Sequence, residues 1–283
     1  MPIDLSVIGY ELAPMEFTYE QRDVMLYALG IGAGVEADEL KFVYENGLEV
    51  IPTFGVVPPF PALMGLVGVE GVDINVVMLL HGEQYLEVRK YPIPVAGKLI
   101  SNPRISNIYD KTKGALVEME VDTVDESGEV VFHNVFGSFI RGEGDFGGER
   151  GPEPGNEPPE RDPDAVAEMK TLPQQAMIYR LSGDYNPLHI DPNISSMAGY
   201  DRPILHGLCT FGHVGRAVLR EYCGNDPAKF KAIKVRFSRP VFPGDTIVTE
   251  MWKESDDKII VRASTKERPD EYCLTSTAVW LNT

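Results

Sequence analysis

HGLCTFGHVGRAVLREY, residues 206–222, carries Leu208, Phe211, Gly215, Val218 and Tyr222 at helical spacing, and Gly224 follows where a helix is capped. At about 1.5 Å per residue such a helix is roughly 25 Å long. Gly207, Gly212 and Gly215 lie in it, and each costs up to about 1 kcal/mol relative to alanine in a helix interior. Three such residues predict that something approaches the backbone closely, and a sheet wrapped round the helix is the expected neighbour.

The segments on either side supply that sheet. Downstream, TIVTEMWKE (246–254), a turn at Ser255-Asp256-Asp257, KIIVRAST (258–265) and CLTSTAVWL (273–281) read as antiparallel strands. Upstream, Val117, Met119 and Val121 alternate with Glu118, Glu120 and Asp122, and Asp125-Glu126-Ser127-Gly128 turns the chain into VVFHNVFGSFI, another hairpin.

Between these regions, residues 142–165 read GEGDFGGERGPEPGNEPPERDPDA, rich in Gly, Pro and acids with almost nothing to bury, which predicts an exposed linker. The flanking halves show faint self-similarity. Setting Gly97 against Gly244 matches Val88 with Val235, Arg89 with Arg236 and Ile100 with Ile247, and Met25 to Leu29 likewise resembles Met177 to Leu181. The expected architecture is α+β, a double hot dog: two repeats, each a long helix wrapped by a curved antiparallel sheet. Residues 1–147 form the N-terminal repeat, 148–165 a linker and 166–283 the C-terminal repeat.

The chain of 283 residues is 43% apolar and 24% charged, as expected of a folded globular protein. Its formal charge of −17 argues against nucleic acid as a partner, because such binders need a basic face to release counterions. One local exception is Lys229, Lys231, Lys234, Arg236 and Arg239, which share eleven residues with no acid. This run reads either as a seat for a phosphate-bearing ligand, with Lys234 and Arg236 as binding residues, or as the solvated side of a strand edge. Cys209, Cys223 and Cys273 have no paired spacing, so neither a disulfide framework nor a zinc site is expected. The N-terminus lacks the blocks of a signal peptide, Pro58, Pro59 and Pro61 break the apolar stretch 56–69, and Leu281-Asn282-Thr283 is not a peroxisomal address. No membrane insertion and a cytoplasmic location are the expectations.

YRLSGDYNPLHIDP, residues 179–192, ends an apolar helix at Gly183 and turns at Asn186-Pro187. In a continuous helix Asp184 and His189 would stand about 140° apart, whereas a turn can bring them together. A carboxylate and an imidazole on one spot can hold a water and move its proton. The plainer alternative is a capping aspartate and a packed histidine. Leu205-His206-Gly207 at the mouth of the glycine-rich helix adds free backbone N–H groups, which stabilise developing negative charge. Hydration of a double bond conjugated to a thioester needs both parts: a proton shuttle, and donors for the enolate oxygen.

SGDYNPLHID (182–191) followed by AGYDRPILHGLCTFG (198–212) closely resembles the hydratase 2 motif of the MaoC-like family of (R)-specific enoyl-CoA hydratases. LKFVYENG, IPTFGVV, LHGEQYLEV and GSFIRGEGDFGG in the first half resemble the hydratase domain of peroxisomal multifunctional enzyme type 2, so the likeness spans nearly the whole chain. It implies Asp184 and His189 as the catalytic pair, Asn186 as their support, Gly207 as oxyanion donor, and Glu45 facing the substrate from the first half. It further implies an acyl-CoA thioester substrate, no metal, no cofactor and a homodimer.

In the internal alignment Gly32 and Ala37 stand where Asp184 and His189 stand, so the first copy lacks the chemistry. Its proline-interrupted segment 51–67 is expected to leave room for a long acyl chain. His189, His206 and His213 with Asp191 lack a metal-ligand spacing. His81, His133 and Cys209 read as structural. Three functions follow: hydratase or, run backwards, 3-hydroxyacyl-thioester dehydratase; a hot dog thioesterase; and a noncatalytic acyl-CoA-binding module.

Overall fold

The duplication seen faintly in the sequence is plain in the strand order of the computed structural model, which describes residues 3–72 and 79–283. The first copy contributes β1 (Met15–Tyr19), β2 (Leu79–Val88), β3 (Gly97–Asp110), β4 (Gly114–Asp125) and β5 (Val130–Arg141). The second contributes β6 (Ala165–Lys170), β7 (Phe230–Phe237), β8 (Thr246–Lys253), β9 (Lys258–Thr265) and β10 (Leu274–Leu281). Together they form one 10-stranded sheet of order β1-β3-β4-β5-β2-β7-β10-β9-β8-β6. Reading inward from either edge gives the same sequence of equivalent strands, so the copies are related by a pseudo-twofold at the β2/β7 seam. There the strands run antiparallel, with Glu83 opposite Arg236 and Tyr85 opposite Lys234.

Both predicted hairpins are present: β4 pairs with β5, and β8 with β9. After the shorter helices α1 (Gln21–Gly30), α2 (Pro61–Gly65), α3 (Gln175–Tyr179) and α4 (Pro192–Met197), the central helix α5 covers Gly207–Cys223, preceded by His206 as its N-cap residue. Thirteen of its residues from Leu208 to Cys223 are buried, which is why it needs no polar face of any width. Its glycines were expected to admit a wrapped sheet, and the contact is different. A Cβ on Gly212 would stand 2.4 Å from Ile31 Cγ2, and one on Gly215 would stand 2.5 Å from Thr53 Cγ2. The first copy's chain, rather than the sheet, presses on these two positions. The sheet approaches most tightly at Gly207, through the Phe237 ring at 3.1 Å, and stands at ordinary contact distance from Gly215, through Ile233 Cδ1 at 3.8 Å.

Among the described residues the first copy has no such helix. The equivalent stretch is a chain of short turns: a 3₁₀ turn at Pro52–Val56, a helix at Pro61–Gly65 and a second 3₁₀ turn at Leu66–Gly68. Pro52, Pro58, Pro59 and Pro61 remove the donors a continuous helix requires. One apolar core joins α5 to both copies through Phe54, Leu86, Phe211 and Ile233. A second, containing Leu66, Ile105, Met119 and Phe136, is confined to the first copy. Among the described residues no helix is long and apolar enough to cross a membrane.

The linker is less idle than its composition suggests. It carries no regular structure, yet Phe146 packs against the first copy's core, Glu157 accepts from Ser276 Oγ, and the Arg161 carbonyl accepts from Trp252 Nε1. It therefore lies pinned across the molecule from one copy to the other.

Candidate active site

A cavity of about 1020 Å³ opens between the two copies. It sits at the upper end of the range for small-molecule sites. The second copy supplies Asp184, Asn186, His189 and Gly207 to its wall, and the first supplies Phe60, Leu63 and Met64 from the proline-broken segment.

The loop bearing the polar groups follows from its own sequence. Gly183, at φ 118°, ends a 3₁₀ turn in a left-handed conformation that side chains avoid. The Asp184 carboxylate then accepts the Asn186 N–H at 3.1 Å, and the Asn186 side chain accepts the Leu188 N–H at 3.0 Å. Pro187 opens a single 3₁₀ turn, Pro187–His189, which swings the imidazole back toward Asp184. Asp184 Oδ2 and His189 Nε2 end 4.0 Å apart. That gap is too long for a hydrogen bond and suits one water bonded to both.

His189 Nδ1 lies 3.0 Å from the Ile204 carbonyl, which only a protonated nitrogen can satisfy. The tautomer is thereby fixed, and Nε2 presents a lone pair toward the aspartate. Burial pushes the Asp184 carboxyl above its ordinary range and the His189 imidazole below its own, each partly opposed by the attraction of the other. Burial thus works against the charged form of both groups.

Sequence reasoning weighed His206 only as a metal ligand and missed its place here. Its ring stacks on His189 at 3.8 Å, and its Nε2–H donates to the Asp184 main-chain carbonyl at 3.2 Å. Burial and then the neighbouring imidazole lower its pKa to about 2, so it stays neutral and braces the loop. Asp184, His189 and His206 do bring ligand atoms within 4.8 Å of one another. The stacked rings, however, lie in planes only 30° apart, so their nitrogen lone pairs do not converge readily on one point, and two of the ring nitrogens are bonded to carbonyls. The set is poorly arranged for an ion.

Gly207 is the first residue of α5, and its N–H meets no acceptor among the described residues. Lys234 and Arg236 reach the cavity from β7, Lys234 with Glu83 at 3.9 Å. Glu45 is the exception. It is exposed in the turn after Phe42 and takes no part in the cavity wall. Among the described residues no hydrogen bond carries its side chain inward, and the first copy faces the site through segment 60–64 and strands β2 to β5 instead.

The comparisons agree in scope with this two-copy site. Residues 17–142 match the family described as MFE-2 hydratase 2 N-terminal domain, and 155–272 match the MaoC like domain. A "Probable enoyl-CoA hydratase 2" of Dictyostelium discoideum is 44% identical over 98% of this chain and 96% of its own length. The mouse "Peroxisomal multifunctional enzyme type 2" is 45% identical over 89% of this chain, which spans only 35% of that longer protein. The crystal structure of a MaoC-like dehydratase from Phytophthora capsici superposes with a TM-score of 0.89 at 38% identity, covering 100% of this chain and 98% of that one. The chain belongs to the MaoC-like hydratase 2 family, with both of its repeats.

Proposed function

We propose that this protein adds water to trans-2-enoyl-CoA thioesters to give (3R)-3-hydroxyacyl-CoA, and catalyses the reverse dehydration with the same groups. The observation that carries the reading is the unbonded pair, Asp184 Oδ2 and His189 Nε2 at 4.0 Å, in a cavity shared with the α5 N-terminus. Water held between them gives its proton to His189 Nε2 as its oxygen bonds to C3. The C2–C3 electron pair moves toward the thioester oxygen, where the Gly207 N–H receives the charge. Asp184, starting protonated, then gives its proton to C2 from the same side, which makes the addition syn, and regains one from His189 Nε2 to close the cycle. One positioned donor of this kind is worth about 2.7 to 4 kcal/mol of barrier. The names of the Dictyostelium and mouse relatives support this chemistry.

The reading uses no cofactor beyond the CoA of the substrate and no metal, so a chelator should leave the rate unchanged. A homodimer and a cytoplasmic location belong to the same proposal. Gel filtration tests the first; a fluorescent fusion tests the second against the peroxisome named for the mouse relative.

Incubation with crotonyl-CoA followed by chiral analysis is the decisive test. Loss of the conjugated thioester with formation of the (3R) alcohol is expected. Release of free thiol would make it a thioesterase, and tight binding without turnover would make it an acyl-CoA-binding module.

A further inference from the structure

Residues 143–154 fall between the two family matches, which end at 142 and begin at 155, and they wall the cavity: Arg150, Gly151, Pro152, Glu153 and Pro154 all line it. Nothing in the two-copy plan requires a connection to run there. Its path is fixed by Asp110, whose carboxylate accepts the N–H groups of Asp145 and Gly147, both at 2.9 Å, while its own N–H donates to the Glu149 carbonyl at 2.8 Å. The Lys111 ammonium holds the Arg150 carbonyl. Gly151, at φ 71°, lies so close to Tyr109 that a Cβ would stand 2.6 Å from the ring. A segment that buries little is nevertheless built to one course.

That course completes a ring of cations. Lys111 and Lys113 from the β3–β4 turn, Arg141 from the end of β5 and Arg150 from the linker line the same cavity as Lys234, Arg236 and Arg239. Among the described residues, only Lys234 of these seven has a carboxylate partner, Glu83 at 3.9 Å. In a chain of net charge −17, where most other basic side chains are paired, unpaired cations concentrated at one cavity call for an anion from outside. Four acids share this wall: Glu83 stands 3.9 Å from Lys234, Glu118 accepts from Asn107 Nδ2 at 3.0 Å, Asp184 faces His189, and Glu153 lies on the linker itself, and among the described residues none of them pairs with Lys111, Lys113, Arg141 or Arg150.

We propose that the linker is a strap that grips the phosphorylated end of CoA, with Arg150 as a binding residue supported by Lys111, Lys113 and Arg141. The proposal rests on the hydratase reading for its ligand and assigns the strap a part in binding that neither copy could supply alone. A phosphate contact far from the reacting carbons contributes equally to substrate and transition state, so it acts on KM and leaves kcat alone. A guanidinium–phosphate pair is a strong, charge-assisted contact, and its loss should cost about ten-fold.

The test compares crotonyl-CoA with crotonyl-pantetheine, which keeps the reacting thioester and lacks every phosphate. Arg150→Ala should raise KM for crotonyl-CoA about ten-fold with kcat within two-fold, should leave crotonyl-pantetheine turnover as in the wild type, and should be largely rescued by Arg150→Lys. Equal losses on both substrates, or none on either, would overturn the proposal. Crotonyl-dephospho-CoA identifies the phosphate: an effect of Arg150→Ala that vanishes there belongs to the 3′-phosphate, and one that persists belongs to the diphosphate. If the wild type turns over no enoyl thioester, the hydratase reading fails by itself. Calorimetric titration with CoA alone then judges the strap, with about ten-fold weaker binding by Arg150→Ala expected and equal binding refuting it.

Discussion

The loops at 31–39 and 183–189 hold corresponding places in the two copies and have taken opposite characters. In the first, the space that a side chain on Gly32 would use lies 3.1 Å from His213 Nε2 and 3.3 Å from Arg216 Nη1. The fully buried Glu39 carboxylate receives the Arg216 guanidinium, with Nη2 at 3.0 Å, and the Gly34 N–H, also at 3.0 Å. The Glu39 and Arg216 charges there are spent on each other, and the loop clamps the first copy to α5. In the second, Asp184 and His189 stand 4.0 Å apart, unbonded to each other, at the wall of an open cavity. A satisfied buried charge pair makes structure; a pair held just out of reach makes a proton path.

The largest effect expected from breaking this contrast is on the open loop. Asp184→Asn and His189→Ala should each lower kcat by about 10² to 10⁴, with the melting temperature little changed and the double variant no worse than the poorer single one. Retention of activity within three-fold in both would defeat the assignment. The pH profile sharpens the point. Since burial lowers the His189 pKa and raises that of Asp184, the pair should keep its single working proton between an acid limb below the usual imidazole range and an alkaline limb above the usual carboxyl range. A kcat/KM profile whose acid limb lies at or above the ordinary histidine pKa would count against the coupled pair.

Glu39→Ala should do the reverse. Removing one partner of a buried ion pair typically costs about 3 to 5 kcal/mol, and the melting temperature should drop by about 10 °C, while kcat per folded molecule stays near the wild-type value. Glu39→Leu combined with Arg216→Met should recover much of that stability, because a packed apolar pair avoids the uncompensated charge. A thermal melt beside a rate measurement separates the two loops: one variant loses rate without stability, the other stability without rate.

The difference between the loops was half legible in the sequence. Gly32 and Ala37 showed that the first copy had lost the dyad, but nothing marked Glu39 as the partner of Arg216, 177 positions away. The same rule runs through the fold. Alternation at Val117 to Asp122 and the apolar stripe of α5 are local signals and gave the hairpins and the helix directly. The close approach to Gly212 was foreseen, while its source, Ile31, was not, because a glycine reports that something is near and not what it is. The strap was invisible for a physical reason: its order comes from the Asp110 side chain bonding backbone N–H groups, and that leaves no hydrophobic pattern to read. Glu45 was placed by resemblance alone, without a local signal, and it lies outside the cavity.

A smaller effect is expected where the first copy has exchanged its central helix for turns. If Phe60, Leu63 and Met64 line the acyl compartment, enoyl-CoAs from four to sixteen carbons should all be turned over, and a strict short-chain preference would refute it. Leu63→Trp, filling that end, should lower kcat/KM for the sixteen-carbon substrate about ten-fold relative to crotonyl-CoA. An unchanged ratio would place the chain elsewhere.

The smallest effect distinguishes two neighbours on β7. Lys234 stands 3.9 Å from Glu83, so part of its charge is already answered within the protein, while Arg236 has no carboxylate partner among the described residues. Both line the cavity. A cation already paired has less to give an incoming phosphate, because binding must first weaken the existing contact. Arg236→Ala should therefore raise KM for crotonyl-CoA by about five-fold and Lys234→Ala by no more than about two-fold, with kcat unchanged in both. Added salt should raise the wild-type KM and shrink the difference between the variants, since exposed charges are screened within about 10 Å at 0.1 M. If Lys234→Ala proves the more damaging, the Glu83 contact does not hold Lys234 back, and the lysine rather than the arginine faces the phosphate.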